Sequence, residues 1–128
     1  MPTTITFTND KKFGASNKPI ANLIIHAPVT KLNFNALIDT GSDYIVIPHA
    51  ALSLGWKPPP TSTIWVTTAS GKVSLTAAKH VTVEVEGHTF STEVVFSPAI
   101  SGKGALLGRV DLLGLFEVGM DNTQWLWK

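Results

Sequence analysis

Ala36-Leu37-Ile38-Asp39-Thr40-Gly41-Ser42-Asp43-Tyr44-Ile45-Val46-Ile47-Pro48 sets a short polar cluster between two strongly apolar runs. Runs of this kind read as buried strands, and Thr-Gly-Ser between them reads as a turn. The segment therefore predicts that a core strand delivers one carboxylate, Asp39, into a tight turn and that a second core strand follows. Asp-Thr-Gly alone often does no more than cap a turn through its Asp side chain. Here the apolar flanks on both sides set it deep in a fold rather than on a surface loop.

Working outward, the rest of the chain repeats short Val-, Ile-, Thr- and Phe-rich segments separated by Gly, Pro and Asn, the pattern of strands and turns. Strands are expected over Thr4 to Thr8, with Ile5 and Phe7 on one face, over Ile20 to Ala27, and over Leu32 to Ile38. Ile64 to Thr68 and Lys72 to Ala77 flank Ala69, Ser70 and Gly71, which predicts a hairpin with its tip there. Val81, Val83 and Val85 alternate with Thr82, Glu84 and Glu86, so that strand is buried on one face and wet on the other. Gly87 and His88 are expected to turn it into Thr89 to Phe96. Ala105 to Leu107, Phe116 to Met120 and Thr123 to Trp127 complete the strands. Helix is expected only at His49 to Leu54, after Pro48, and at Asp111 to Leu115. Trp56 with Pro58, Pro59 and Pro60 reads as a stiff connector inside one domain.

The 128 residues make one domain, with residues 1–30 an extension or extra strands, and are too few for two independent cores. Hydrophobic residues at 44% against charged residues at 15% supply a real core and exclude a disordered chain. The formal charge of +1 and the lack of a basic run argue against nucleic acid or an anionic membrane as partner. The absence of cysteine excludes disulfides, thiolate nucleophiles and Cys-based metal sites. His26, His49, His80 and His88 lack zinc-ligand spacing, and Gly102-Lys103-Gly104 lacks the elements of a phosphate loop. The reading is therefore of no metal and no cofactor. With no apolar stretch long enough to span a membrane and no signal peptide, a cytoplasmic location is expected.

Asp-Thr-Gly-Ser between apolar runs, followed by Ala105-Leu106-Leu107-Gly108-Arg109 ahead of a short helical segment, resembles the single-lobed, retropepsin-like aspartic proteases, bacterial relatives included. The resemblance runs from Leu32 to the C-terminal end and implies an all-β closed barrel with a flap hairpin, acting as a homodimer. It assigns Asp39, Thr40 and Gly41 to catalysis, Thr40 by a hydrogen bond across the two-fold axis and Gly41 by a carbonyl offered to the substrate. Ser42 is expected to donate a hydrogen bond to the carboxylate, which favours an acidic optimum. Ala69, Ser70 and Gly71 become the flap tip over a peptide substrate. Asp43 and Arg109 match an ion pair near the dimer interface, Leu107 and Gly108 belong to the same structural segment, and Trp125 and Trp127 lie on a strand that helps form the dimer sheet. The one Gly at the tip and the long segment before Thr30 depart from viral members.

Physically, cleaving an amide without metal or nucleophile calls for two close carboxylates that share a proton. One Asp-Thr-Gly per chain then requires two chains. The resemblance thus implies an aspartic endopeptidase acting on peptides or proteins. The alternative is a retropepsin-fold module that grips extended peptides without cutting them.

Overall fold

The computed structural model describes residues 6–14, 17–39, 41–53, 62–68, 71–100, 102, 104–109, 116–120 and 123–127. Its strands are β1 (Asn9–Lys12), β2 (Ile20–His26), β3 (Lys31–Asp39), β4 (Ile45–Pro48), β5 (Ser62–Thr68), β6 (Gly71–Val85), β7 (His88–Ser97), β8 (Gly104–Gly108), β9 (Val118–Met120) and β10 (Gln124–Trp127). A 3-10 turn, His49–Ser53, follows β4 where Pro48 predicts a helical start. The expected connector at Trp56 to Pro60 and the expected helix at Asp111 to Leu115 lie outside the described residues.

Six strands in the order β2-β3-β8-β4-β7-β6 close into a barrel, because β6 also pairs with β2. Alternation along each strand supplies the interior: Ala21, Leu23 and Ile25 from β2, Ala36 and Ile38 from β3, Val81, Val83 and Val85 from β6, and Phe96, Leu107, Ile45 and Ile47 from the others are all buried. Each fully buried Val, Leu, Ile or Phe among them stabilises the fold by roughly 1.5–3 kcal/mol. The period-two reading of Val81 to Val85 thus finds its buried face, while Thr82 and Glu84 remain partly open to solvent.

Three expectations are corrected. The two strands expected at Lys72 to Ala77 and Val81 to Val85 form one 15-residue strand, β6, with a register shift between Ala78 and Val81 against β7. His80 takes a positive φ of 57° at that bulge, which lets the strand bend without ending. The β6–β7 turn is Glu86–Gly87, not Gly87–His88: both turn residues have positive φ, 46° and 85°, as a tight two-residue hairpin requires. Of the strand expected over Thr4 to Thr8, residues 6–8 are not in strand, since β10 pairs with residues 9–12 and Phe7 lies over Gly119, while Thr4 and Ile5 lie outside the described residues.

Two substructures stand apart from the ring. β1, β10 and β9 form a three-stranded antiparallel sheet with β10 in the middle. It is tied to the barrel by Lys11, whose Nζ lies 2.7 Å from Glu86 Oε1, and by Trp125, whose Nε1–H donates to the Ile20 carbonyl at 3.2 Å. Glu86 Oε1 also accepts the Asn22 N–H at 2.8 Å, and the Glu86 N–H returns a bond to the Asn22 carbonyl at 3.1 Å. These bonds offset the strain of a non-glycine residue at positive φ. The second substructure is the β5–β6 hairpin: residues 72–75 of β6 pair with β5 alone and carry it past the barrel wall as an arm.

Candidate active site

β8 lies between β3 and β4, parallel to the first and antiparallel to the second. The chain must therefore leave β3 at Asp39, cross over the C-terminal end of β8, and enter β4 on its far side. That crossing explains Gly108. A Cβ there would lie 2.5 Å from Tyr44 N and 2.6 Å from the Tyr44 carbonyl carbon, distances that real Cβ atoms do not reach. The Arg109 N–H then donates to the Ser42 carbonyl at 2.7 Å, pinning the loop a second time.

Asp39, half-buried, ends β3 in register with Gly108. Its Oδ1 accepts the Gly41 N–H at 3.0 Å and its carbonyl accepts the Ser42 N–H at 3.1 Å, so the carboxylate is held against its own turn. Gly41 leaves little room for anything larger, since a Cβ would stand 3.2 Å from Asp39 Oδ1. Thr40, assigned with Asp39 and Gly41 to the catalytic turn, lies outside the described residues.

The Ser42 hydroxyl does not address Asp39 within the chain. It donates to the Tyr44 carbonyl at 3.1 Å, because the crossing over β8 turns that carbonyl toward it. A hydroxyl carries one proton to donate, so the expected bond to the carboxylate is replaced. Asp43 and Arg109 do pair, with Arg109 Nη2 2.7 Å from Asp43 Oδ1, and both side chains are more than half exposed in the single chain, 54% and 57%. Leu107 is fully buried beneath the loop.

Beside this turn opens a cleft of about 900 Å³. Its floor is Gly41 to Tyr44 with Val46 and Leu106, its far wall is Ser97 to Ile100, and the arm contributes Val66, Val73 and Leu75. Asp43 is the one charged lining residue, and Arg109 holds it. Ser97 Oγ is likewise occupied, by the Ala99 N–H at 3.2 Å. The cleft thus presents mostly apolar side chains, with the hydroxyls of Thr67 and Ser74 among them. Of the tip expected at Ala69, Ser70 and Gly71, the structure describes Gly71, whose φ of 121° is one that L side chains rarely adopt. Ala69 and Ser70 lie outside the described residues.

Sequence reading passed over Tyr44 and Val46. Their signal was available: Ile45 and Ile47 point into the core, so the alternate positions of the same strand must face the other way. The Ser97 to Ile100 wall was signalled by Pro98, which ends β7.

Trp125 and Trp127, expected on a dimer-forming strand, are buried inside the chain itself and stack on each other with ring centroids 4.2 Å apart. Their strand, β10, has β1 on one edge and β9 on the other, so neither edge is open to a second chain. Both partners come from the same chain, β9 immediately before β10 and β1 from far upstream.

Among the described residues no group of three or more His, Cys, Asp or Glu side chains could hold a metal ion, and no helix is long and apolar enough to cross a membrane. No curated protein matches the chain. The family model described as aspartyl protease matches residues 25–111, a span that takes in β3, the Asp39 turn, the arm and the Gly108 crossing. With more than half its length so matched and its strands closed into the barrel described above, the chain belongs to the retropepsin-like aspartyl protease family.

Proposed function

We propose that the protein is an aspartic endopeptidase whose active centre is built from two Asp39 carboxylates, one from each chain of a homodimer. The observation that carries this reading is the placement of a single half-buried Asp39, fixed by the Gly41 N–H, at the edge of an apolar cleft overhung by a hairpin. Two carboxylates brought together cannot both ionise cheaply, so they retain one proton between them. The ionised member takes a proton from a water molecule as that water attacks the scissile carbonyl carbon. The protonated member gives its proton to the carbonyl oxygen, and the resulting tetrahedral species collapses when the first carboxyl passes the water's proton to the amide nitrogen, which leaves, while a hydroxyl proton of that species returns to the second carboxylate. Thr40 links the two turns and the β5–β6 arm acts as the flap, with its tip at Ala69, Ser70 and Gly71.

Because both edges of β10 are occupied, the copies meet through other surfaces. The exposed Asp43–Arg109 pair, next to the Asp39 turn, is suited to lie there. The substrate is an extended peptide segment, held by main-chain hydrogen bonds to the turn and the arm and by apolar contacts in the cleft.

The test is a dilution series of wild type and Asp39→Asn on one uncharged peptide, with molar mass followed by light scattering. Cleavage by wild type that falls with the dimer fraction, and none by the variant, is expected. Constant activity per mole in a monomeric sample would overturn the two-chain centre, and equal turnover by the variant would overturn the enzyme.

A further inference from the structure

β3 starts at Lys31, but its neighbour β8 begins only at Gly104, opposite Asn35. Over Lys31 to Phe34 the strand therefore has β2 on one side and, among the described residues, no strand on the other. Two sets of bonds fix which way its main chain points. The Ile38 N–H donates to the Pro19 carbonyl, on the β2 side, and Asn22 of β2 spends its N–H and its carbonyl on Glu86, so that neither goes to Asn35. Hydrogen-bonded and non-hydrogen-bonded pairs alternate along such a ladder, so Leu32 and Phe34 bond toward β2 and Asn33 turns its N–H and carbonyl the other way. Neither group of Asn33 meets a partner among the described residues, whereas the Lys31 carbonyl takes the Thr30 hydroxyl at 3.4 Å. The end of β3 is an open edge inside the barrel wall.

Two hollows meet at this edge and share Phe34. Leu32 and Phe34 join Pro48, Ala50 and Ala51 around an apolar one of about 200 Å³. Asn33 and Asn35, on the opposite face by strand parity, join Asn22 around a polar one of about 230 Å³. Asn22 and Asn35 face each other as a non-hydrogen-bonded pair, the arrangement that brings side chains closest, and none of the three carboxamides is bonded among the described residues. Lys31 stands at the same edge, exposed and without a carboxylate partner among the described residues. Its cross-strand neighbour is His26, and the carboxylate on that side, Glu84, lies 3.8 Å from His26 Nε2. Neither hollow shares a lining residue with the cleft beside Asp39.

We infer that the open end of β3 is a docking site for a short, extended acidic segment of another protein. The segment bonds to the N–H and carbonyl of Asn33 and sends one aliphatic side chain into the hollow beside Leu32 and Phe34. Its neighbours in sequence face the other way, against the three carboxamides and Lys31, whose uncompensated charge selects a carboxylate there. The same charge argues against self-pairing, because a second copy would bring a second Lys31 to the edge and no carboxylate. The site is independent of Asp39, so it stands or falls apart from the protease reading.

The experiment uses full-length Asp39→Asn protein, so that no probe is cut, and two blocked peptides that cover both strand directions, Thr-Thr-Leu-Asp-Thr-Thr and Thr-Thr-Asp-Leu-Thr-Thr. Backbone amide resonances are followed during titration. Saturable shifts are expected at Lys31 to Phe34, Ala50 and Ala51, with exchange of the Asn33 N–H slowed at least about fivefold at saturation. Peptides with Lys in place of Asp should bind at least about fivefold more weakly, and Lys31→Glu should reverse that order. Ala50→Leu, a change at an exposed residue that fills the hollow, should weaken the Asp peptides without altering the cleft resonances. Shifts confined to the cleft, Lys peptides that bind as well as Asp peptides, or no saturation by about 5 mM would overturn the inference. Protection of Asn33 that grows with protein concentration in the absence of peptide would overturn it in favour of pairing between copies.

Discussion

Around Asp39 the backbone is fixed from several directions at once. The Gly41 N–H binds the carboxylate, the Arg109 N–H binds the Ser42 carbonyl, the Ser42 hydroxyl binds the Tyr44 carbonyl, and Gly108 lets the loop rest directly on β8. In the β5–β6 arm, residues 72–75 have cross-strand pairing with β5, and one face is left to solvent. On the proposed protease reading, the difference separates two duties. The floor must hold a carboxylate to within a fraction of an ångström, which takes redundant restraints. A covering arm must admit a chain and release it, which takes a segment stabilised by few tertiary contacts.

The sharpest way to separate chemistry from scaffold is Asp39→Asn. It keeps the size of the side chain and an oxygen able to accept the Gly41 N–H, so cleavage should fall by about a thousandfold or more while the unfolding midpoint moves little. Paired denaturant melts and peptide turnover check both halves of that statement. Gly108→Ala attacks the floor itself. Its new methyl meets the Tyr44 backbone, which has no free rotamer with which to give way, and a loss of about 3 kcal/mol or more is expected in urea unfolding. A loss below about 1 kcal/mol would show that the crossing is looser than the geometry implies.

The matching change in the arm is Gly71→Ala. A φ of 121° strains any L residue, yet beyond its own residue and chain neighbours nothing lies within 4 Å of the new methyl, so about 1–2 kcal/mol is expected. Hydrogen exchange should place the change in β5 and β6, and spread into β3 and β8 would break the contrast drawn here. Smaller again is the Asp43–Arg109 pair. Exposed as both side chains are, a double-mutant cycle on the monomer should give a coupling under about 1 kcal/mol. If the pair lies at the contact between two copies, the same cycle on dimer dissociation should give a larger coupling.

The smallest effect expected is on pH. With the Ser42 hydroxyl committed to the Tyr44 carbonyl, Ser42→Ala removes no donor from Asp39 within the chain, and the kcat/KM profiles of variant and wild type should superimpose. An alkaline displacement of both limbs in the variant would show that the hydroxyl turns to the carboxylate when two chains assemble.

The parts of this structure that could be read from the sequence are those governed by local pattern. Period-two alternation gave the buried face of Val81, Val83 and Val85, and the apolar flanks of Asp39 gave a core strand leading into a turn. Arg109 and Asp43 could be paired through the resemblance alone, and they do pair. What escaped depends on partners distant in sequence. Nothing near His80 signals that it will take a positive φ and keep two strand segments as one, because the need for a bend is set by β7 across the ladder. The Ser42 hydroxyl chose an acceptor that only the crossing over β8 brings into reach. Trp125 and Trp127 could equally have served a second chain until β1 and β9 were seen to flank them. Tyr44 was legible in principle, and its neighbours in the polar cluster drew attention away from the strand parity that places it.

The pairing of β1 with β10 has a consequence for the order in which the fold assembles. All six strands of the ring lie between β1 and β9 in the sequence, so the barrel can close on its own contacts before β1 meets β10. β1 must wait for β10, a contact of the highest sequence separation among the described residues. Until then it is an unpaired strand. Asn9, Asp10, Lys11 and Lys12 are what such a strand needs: poor material for aggregation, and already carrying the lysine that Glu86 can hold near its final place until Trp125 and Trp127 arrive.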